Sequence, residues 1–494
     1  MSGPIPFDNR YVGLGATFHA RVDPEPVAAP RLVAFNRELA AELGMAVAVL
    51  DGPTGAAIFS GNEIPPGAEP LAMAYAGHQF GGFSPRLGDG RAILLGEVVA
   101  AGQRHDVQLK GSGPTPFSRN GDGRAALGPV IREYLLSEAM ARLGVPTTRA
   151  LALVATGETV MRDRPLPGGI LTRISRSFVR VGSFEYFAAN GDWAAVRRLA
   201  DHVIGRLYPE VEAAANPYEA LLGRVVDRQA ALIARWMQLG FIHGVMNTDN
   251  VSIAGETIDY GPCAFMDGFD HHQVYSSIDR QGRYAYANQP PIGQWNLIRF
   301  AETLLPLLRS DGDIKAAVAT AQKHLNTYID LYRGYWLDGM REKLGLLRKM
   351  PGDDELAGAF LDLLARENTD FTLAFRRLST LAAAPSSADE ALTGLFHRRE
   401  GIERWLSRWR QRLARESRSD ERRQRAMRMV NPLYIPRNHQ VEAVIHAAEA
   451  HDDFAPFHRL HAVLQHPFDE QPGCAVYAEP PKPDEVVWQT FCGT

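Results

Sequence analysis

Cysteine is almost missing from this chain. Cys263, Cys474 and Cys492 are too few and too scattered for a disulfide framework or a zinc site. Long apolar runs are missing too, and no stretch approaches the length needed to span a bilayer. The start, Met1-Ser-Gly-Pro-Ile-Pro-Phe-Asp-Asn-Arg, lacks a basic segment followed by an apolar one. It also lacks the Arg-rich, acid-poor character of a transit peptide. A cytoplasmic location without membrane contact is therefore expected. Neither sign of charge is in excess: 53 Lys and Arg against 57 Asp and Glu leave a formal net charge of -4. With no basic field, nucleic acid is not an expected partner.

What remains is the composition of a globular protein, 45% hydrophobic and 22% charged. A length of 494 residues calls for two or three packed units. Residues 1–70 are rich in Pro, Gly and Ala, with one helix-like stretch around Arg31 to Leu43, and read as a wrapping extension. Residues 71–185 alternate short strand-like runs with Gly-rich turns. The runs are Ala92-Ile-Leu-Leu, Val107-Gln-Leu-Lys, Leu151-Ala-Leu-Val-Ala, Thr159-Val-Met-Arg and Gly169-Ile-Leu-Thr-Arg-Ile. One helix interrupts them, predicted to start at Pro129 and stop at Gly144.

Residues 186–348 read as mainly helical. Leu222, Val225, Val226, Gln229, Ile233 and Trp236 recur at helical spacing, as do Trp295, Ile298, Ala301, Leu305 and Leu308. Residues 349–494 continue as a helical extension ending in an extended tail. The charged stretch from Glu416 to Arg428 reads as a solvated helix face. A strand-rich lobe followed by a helical lobe is an α+β layout of the protein-kinase-like, two-lobed kind, with extensions at both ends.

Several motifs could carry chemistry. Gly88-Asp89-Gly90-Arg91 leaves backbone N–H groups open to phosphate oxygens, and Arg91 adds a fork of donors. Such turns also make ordinary hairpins. A second Gly-Asp-Gly-Arg turn contains Asp122 and Gly123. Lys110 ends a half-buried strand shortly after the first turn, where kinases place the lysine that pairs with nucleotide phosphates. The following helix offers Glu133 and Glu138 as its partner, and periodicity does not choose between them. Arg173 and Arg180 lie in Leu171-Thr-Arg-Ile-Ser-Arg-Ser-Phe-Val-Arg-Val, an arginine-rich segment suited to an anion.

The strongest signal is Phe241-Ile-His-Gly-Val-Met-Asn-Thr-Asp-Asn-Val-Ser-Ile, then a tight turn at Gly255 and Thr257-Ile-Asp-Tyr-Gly. Kinase catalytic loops read His-Arg-Asp with a later Asn, followed after a hairpin by Asp-Phe-Gly. Here His243, Asn250 and Asp259-Tyr260-Gly261 take the corresponding places. An amide oxygen and a carboxylate brought together by a hairpin suit Mg²⁺, with nucleotide phosphates as further ligands. Val245 stands where the catalytic Asp belongs, and valine cannot accept a proton. Asp249 is the nearest replacement base, with a structural loop cap as its other reading.

Taken together the motifs resemble the selenoprotein O family, also called the YdiU or protein adenylyltransferase SelO family. The resemblance runs from Phe7-Asp-Asn to Phe491-Cys-Gly-Thr. Its telling segments are Ala76-Gly-His-Gln-Phe-Gly, Leu109-Lys-Gly-Ser-Gly-Pro-Thr-Pro-Phe-Ser-Arg, Gly121-Asp-Gly-Arg, His243-Gly-Val-Met-Asn-Thr-Asp-Asn and Asp259-Tyr-Gly-Pro-Cys. It implies a pseudokinase fold with ATP turned round, so that the α-phosphate faces a protein substrate and AMP passes to Ser, Thr or Tyr. By motif, Gly88, Gly90, Arg91, Lys110, Asp122, Gly123, Arg173 and Arg180 would hold the nucleotide. Glu133 would partner Lys110, Asn250 and Asp259 would bind Mg²⁺, and Asp249 would take the proton. UMP transfer from UTP with Mn²⁺ is a second activity the resemblance implies, as are a monomeric state and a role in redox stress.

Eukaryotic members carry a selenocysteine at the tail, and this chain has only Cys492 there. In bacterial relatives, cysteines in these regions can form a restraining disulfide, which here would join Cys263 to Cys492, with Cys474 as the competing partner. Two alternatives are a kinase that transfers the γ-phosphate and a non-catalytic nucleotide-binding scaffold. The first has to do without the base that Val245 replaces. The second has no use for an intact lysine and metal-ligand set.

Overall fold

The computed structural model describes residues 3–309 and 311–490. Among them, eight strands build one sheet: β1 (His19–Arg21), β2 (Arg31–Phe35), β3 (Leu71–Met73), β4 (Ala92–Ala100), β5 (Gln103–Lys110), β6 (Ala125–Ala126), β7 (Arg149–Met161) and β8 (Pro165–Ser175). Their order is β1-β3-β4-β5-β8-β7-β2, with β6 paired to β8. Every pairing is antiparallel.

Alternation along the strands sends neighbouring side chains to opposite faces. Leu95, Val107, Leu109, Ile170 and Val154 pack against Leu39, Leu50, Ile58 and Phe59 of the N-terminal segment. Leu94, Leu153 and Leu171 join the larger core with Ile131 and Leu135 of the helix Leu127–Arg142. Both faces are thus covered, which is why β4 is buried along most of its length.

Three sequence expectations change here. Arg31–Phe35 is a strand, not the start of a helix, and the helix begins only at Arg37. The backbone of β7 has an unpaired edge there, and pairing with it overrides local helical spacing. The first seventy residues therefore contribute strands as well as wrapping the sheet. The run Leu151–Ala155 and all but the last residue of Thr159–Arg162 merge into the single strand β7, with Gly157 at φ +72° absorbing the irregularity.

The helix predicted from Pro129 starts two residues earlier, at Leu127, and Gly144 ends it at φ +77°. Almost its whole surface is buried. The sheet covers one side, and helices Asn438–His451 and Ala455–Leu464 cover the other. Tyr134 stacks edge-on against Phe457 and His461, Arg132 pairs with Glu442, and Gly128 N–H donates to Glu449 at 3.1 Å.

Helices Trp193–Leu207, Pro217–Leu239, Gln289–Leu308 and Ile314–Lys343 form the next layer. The predicted face of Pro217–Leu239 is buried throughout. In Gln289–Leu308 the buried face is offset from the predicted stripe. Of the stripe, Ala301 and Leu308 are buried and Trp295, Ile298 and Leu305 half-buried, while Leu297, Phe300 and Leu304 turn inward. The charged stretch forms the helix Asp420–Arg428. It is solvated at Glu421 and Arg425, but Arg423 is buried over Trp409 and donates to the Leu381 carbonyl at 2.6 Å. No described helix is long and apolar enough to cross a membrane.

Candidate active site

A cleft of about 610 Å³ opens where the sheet meets the helical layer. Gly88, Gly90 and Arg91 reach it from the turn before β4, and Lys110 from the end of β5. Asp122 and Gly123 come from the second glycine turn, Glu133 from the buried helix, and Arg173 from β8. Arg180, Asp249, Asn250 and Asp259 complete the wall, with Val245 beside them. Sequence positions from 88 to 259 thus converge on one cavity.

The turns need glycine for steric reasons. Gly88 sits at φ +67°, and a Cβ there would meet the Phe117 ring at 2.2 Å. Gly123, at φ +64°, would drive a Cβ into the Gly113 carbonyl at 2.0 Å. Asp122 is held by Arg162 at 2.8 Å and accepts from Arg124 N–H at 2.9 Å. The hydrogen bond from Arg162 keeps its carboxyl below the ordinary value.

Ion pairs organise the centre. Lys110 Nζ lies 2.6 Å from Glu133 Oε2 and 3.1 Å from Asp259 Oδ1. Arg173 Nη1 reaches Glu133 Oε1 at 3.1 Å and Asp259 Oδ1 at 2.5 Å. Arg180 Nη1 reaches Asp259 Oδ2 at 3.1 Å and the Asp249 carbonyl at 2.8 Å. Glu138, the other sequence candidate, faces away. It binds Arg149 at 2.9 Å and accepts from Ala150 N–H at 2.8 Å. Burial opposes the charge on Asp259, but Arg173, Lys110 and Arg180 outweigh it and hold the carboxyl well below the usual range. Its backbone lies at φ +58°, a left-handed conformation that a non-glycine residue holds only when its surroundings enforce it.

Asp249 has the opposite character. Burial pushes it up to about 6. Gln79 Nε2 donates to Oδ2 at 3.1 Å, and the buried Oδ1 has no partner among the described residues. Asn250 Nδ2 donates to the Val245 carbonyl at 2.9 Å, which leaves the amide oxygen uncommitted. His243 Nε2 donates to the Ile258 carbonyl at 2.9 Å, and burial keeps the ring below its ordinary value.

The segment between Asn250 and Asp259 departs from the expected hairpin. The turn at Gly255 closes, with Gly255 N–H donating to the Ser252 carbonyl at 3.1 Å. Its two arms do not pair with each other. Ser252 bridges Arg180 and Thr257 bridges Thr147, so each arm is tied to a different part of the chain. The arginine-rich segment also divides. Arg173 and Arg180 face the cleft, while Arg176 lines a separate groove beyond Glu256.

Several supports escaped the sequence reading. Gln108 accepts from Arg173 Nη2 and donates to the buried Asp89 at 3.0 Å. Tyr75 lies beneath the Arg180 guanidinium, 4.4 Å from ring centroid to carbon. The alternation of β5 places Gln108 and Lys110 on one face and was the available signal for Gln108. Nothing local marks Tyr75, and Gln79 lies in the telling segment Ala76-Gly-His-Gln-Phe-Gly without a role having been read for it.

The family model described as "Protein adenylyltransferase SelO" matches residues 4–465.

The chain belongs to the SelO family.

A relative from Bradyrhizobium sp. strain BTAi1, named "Protein nucleotidyltransferase YdiU", is 59% identical over 497 residues, covering 100% of both chains. One of the same name from Rhizobium rhizogenes is 58% identical over 492 residues, covering 99% of this chain and 97% of its own. A third, from Rhodopseudomonas palustris, is 58% identical over 495 residues with full coverage of both. As a SelO-family member the chain is an enzyme of the nucleotidyltransferase class.

Of the cysteines in this SelO-family chain, Cys263 is buried beside the cleft and burial pushes its thiol up to about 12. Cys474 is half-buried. Cys492 lies outside the described residues.

Proposed function

We propose that this enzyme takes AMP from ATP and places it on Ser, Thr or Tyr hydroxyls of other proteins. The carrying observation is one cleft that gathers Lys110, Arg173 and Arg180 around Asp259 and also presents the buried carboxylate of Asp249. Buried, fixed cations suit a triphosphate, because they need no reorganisation when charge develops. Glu133 shares Lys110 and Arg173 with Asp259 and so keeps those two cations in place when phosphate oxygens compete for them.

Attack by the acceptor oxygen on the α-phosphorus forms the new P–O bond. The bond to the β-phosphate oxygen breaks, and pyrophosphate leaves with its electron pair. Asp249 takes the hydroxyl proton. Oδ1 is closed off beneath Gly77, whereas Oδ2 accepts from Gln79 and has a second lone pair for an acceptor hydroxyl. Val245, at the place where kinases keep their base, cannot do this.

The donor set fits a hard divalent cation. The uncommitted amide oxygen of Asn250 and the carboxylate of Asp259 share the cleft, and such ions take one or two carboxylates plus phosphate oxygens. Mg²⁺ or Mn²⁺ there would neutralise phosphate charge. The same reading gives a kinase-like fold with two lobes at residues 71–185 and 186–348. It extends to UMP transfer from UTP, and to a cytoplasmic monomer.

A restraining disulfide from Cys263 to Cys492 belongs to this proposal too. Supporting it, Thr490 N–H donates to the Tyr275 carbonyl at 2.8 Å and Thr490 Oγ1 to the Pro262 carbonyl at 2.7 Å, next to Cys263. A peptide map after oxidation that finds both thiols free would remove it.

Two isotopic forms of ATP test the function. Label reaching a protein acceptor only from the α-phosphorus is the expected result. Label only from the γ-phosphorus would make the enzyme a phosphotransferase and overturn the reading.

A further inference from the structure

The ribbon formed by Gly77–Gln79 and Gly82–Ser84 has no role in the chemistry above, yet it is fastened to the loop that carries Asp249. His78 N–H donates to Thr248 Oγ1 at 2.7 Å, Gln79 Nε2 to Asp249 Oδ2 at 3.1 Å, and Phe80 N–H to Asn247 Oδ1 at 3.0 Å. Beneath it, Glu185 meets His78 Nδ1 at 2.6 Å and accepts from Thr248 Oγ1. The approach is so close that a Cβ on Gly77 would lie 2.4 Å from Asp249 Oδ1. The ribbon is therefore tied to the Asp249 loop by three hydrogen bonds and a close backbone approach.

The ribbon tip is unusual in two ways. Phe80 holds a left-handed φ of +50°, which a residue with a side chain rarely adopts. Its ring lies 5.1 Å from Tyr284 yet stays 36% exposed at the cleft, and Ile278, also on the cleft wall, is 64% exposed. Phe80 and Ile278 are thus two large apolar side chains left open on the wall of a polar, charged cleft. The triphosphate is drawn to Lys110, Arg173 and Arg180. Phe80 instead follows Gln79, the side chain that touches the proton acceptor. A group seated on Phe80 would lie beside whatever delivers its proton to Asp249.

We propose that Phe80 and Ile278 form the acceptor ledge, where a bulky apolar side chain next to the hydroxyl-bearing residue rests. The partner is a protein segment in which Ser, Thr or Tyr is flanked by an aromatic or large aliphatic residue. The inference rests on the AMP-transfer reading and adds the acceptor class to it.

Casein, an unfolded hydroxyl-rich protein, is the probe, with ATP labelled at the α-phosphorus and modified sites mapped by mass spectrometry. Wild-type sites should be enriched in apolar neighbours. The double variant Phe80→Gly, Ile278→Ser should lose that enrichment and raise the casein KM about tenfold or more, while the ATP KM stays. Glycine tolerates the left-handed φ, so the first change does not strain the turn. Phe80→Leu keeps an apolar surface and should keep the enrichment. Sites without apolar neighbours in the wild type would overturn the ledge, and so would a raised ATP KM, which would assign Phe80 and Ile278 to the nucleotide base. Labelling of neither casein nor the enzyme itself, with ATP bound, would instead overturn the transferase reading.

Discussion

Lys110 Nζ stands 2.6 Å from Glu133 Oε2, and the same ammonium reaches Asp259 Oδ1 at 3.1 Å. Both pairs are largely buried, so neither is a screened surface contact. The lysine therefore ties a helix carboxylate to the loop carboxylate that the metal proposal uses. Removing one partner of such a set leaves uncompensated charge behind.

Lys110→Met should accordingly lower AMP transfer about 100-fold, the scale seen when one preorganised donor to a reacting phosphate or oxyanion is lost. Initial rates with ATP labelled at the α-phosphorus measure it. Transfer at the wild-type rate would remove Lys110 from the site.

Asp249→Asn keeps the shape of the side chain and takes away its capacity to accept a proton. Transfer should drop by a factor of about 100 or more. ATP affinity, followed by calorimetry, should hold, because Lys110, Arg173 and Arg180 are untouched. Full activity in the Asp249→Asn enzyme would mean that Asp249 only caps its loop.

Gly77→Ala tests the close approach of ribbon and carboxylate. Its Cβ would come within 2.9 Å of the Asp249 Cγ, so the carboxylate has to shift. A displacement of about 1 Å at a reacting group can cost up to about 100-fold in rate. Thermal melting should change far less than kcat. Equal activity in the two proteins would show that Asp249 tolerates movement.

Glu256 predicts a pH dependence of stability. It is buried and accepts from Ser175 Oγ at 2.7 Å and Arg176 N–H at 3.2 Å. Burial pushes it up from an ordinary 4.5 to about 7. The folded chain then holds a proton that the unfolded chain releases near pH 4.5. The stability this provides is complete below that pH and is lost as pH rises through about 7, amounting to about 3 kcal/mol. Urea denaturation of Glu256→Gln should lose this slope between about pH 5 and pH 8. An unchanged slope would assign the dependence to other groups.

Much of the site was legible because its parts are local. Gly88-Asp-Gly-Arg, the loop from His243 to Asn250 and Asp259-Tyr-Gly each bring their groups together within a few residues, where bond geometry and turn preference decide. Each of the three segments contributes residues to the cleft wall. Less was legible where an element's surroundings matter. The strand Arg31–Phe35 has helical spacing but pairs with the open edge of β7. The inward face of Gln289–Leu308 is set by the helices packed on it, not by its strongest apolar stripe.

By itself the amino-acid order determined the alternating strands, the glycine turns and the segment from His243 to Asn250, since each depends on dihedral preferences and side-chain spacing along a few residues. Only the tertiary structure chose between Glu133 and Glu138. Five residues apart on a helix, they point about 140° away from each other, and both are buried. Packing of that helix between the sheet and the C-terminal helices turns Glu133 to Lys110 and Glu138 to Arg149. It likewise took the sheet register, with Leu171 opposite Lys110 and Arg173 opposite Gln108, to bring a distant arginine onto the same carboxylates. Contacts between residues far apart in sequence follow from which surfaces bury each other, and no local pattern records that choice.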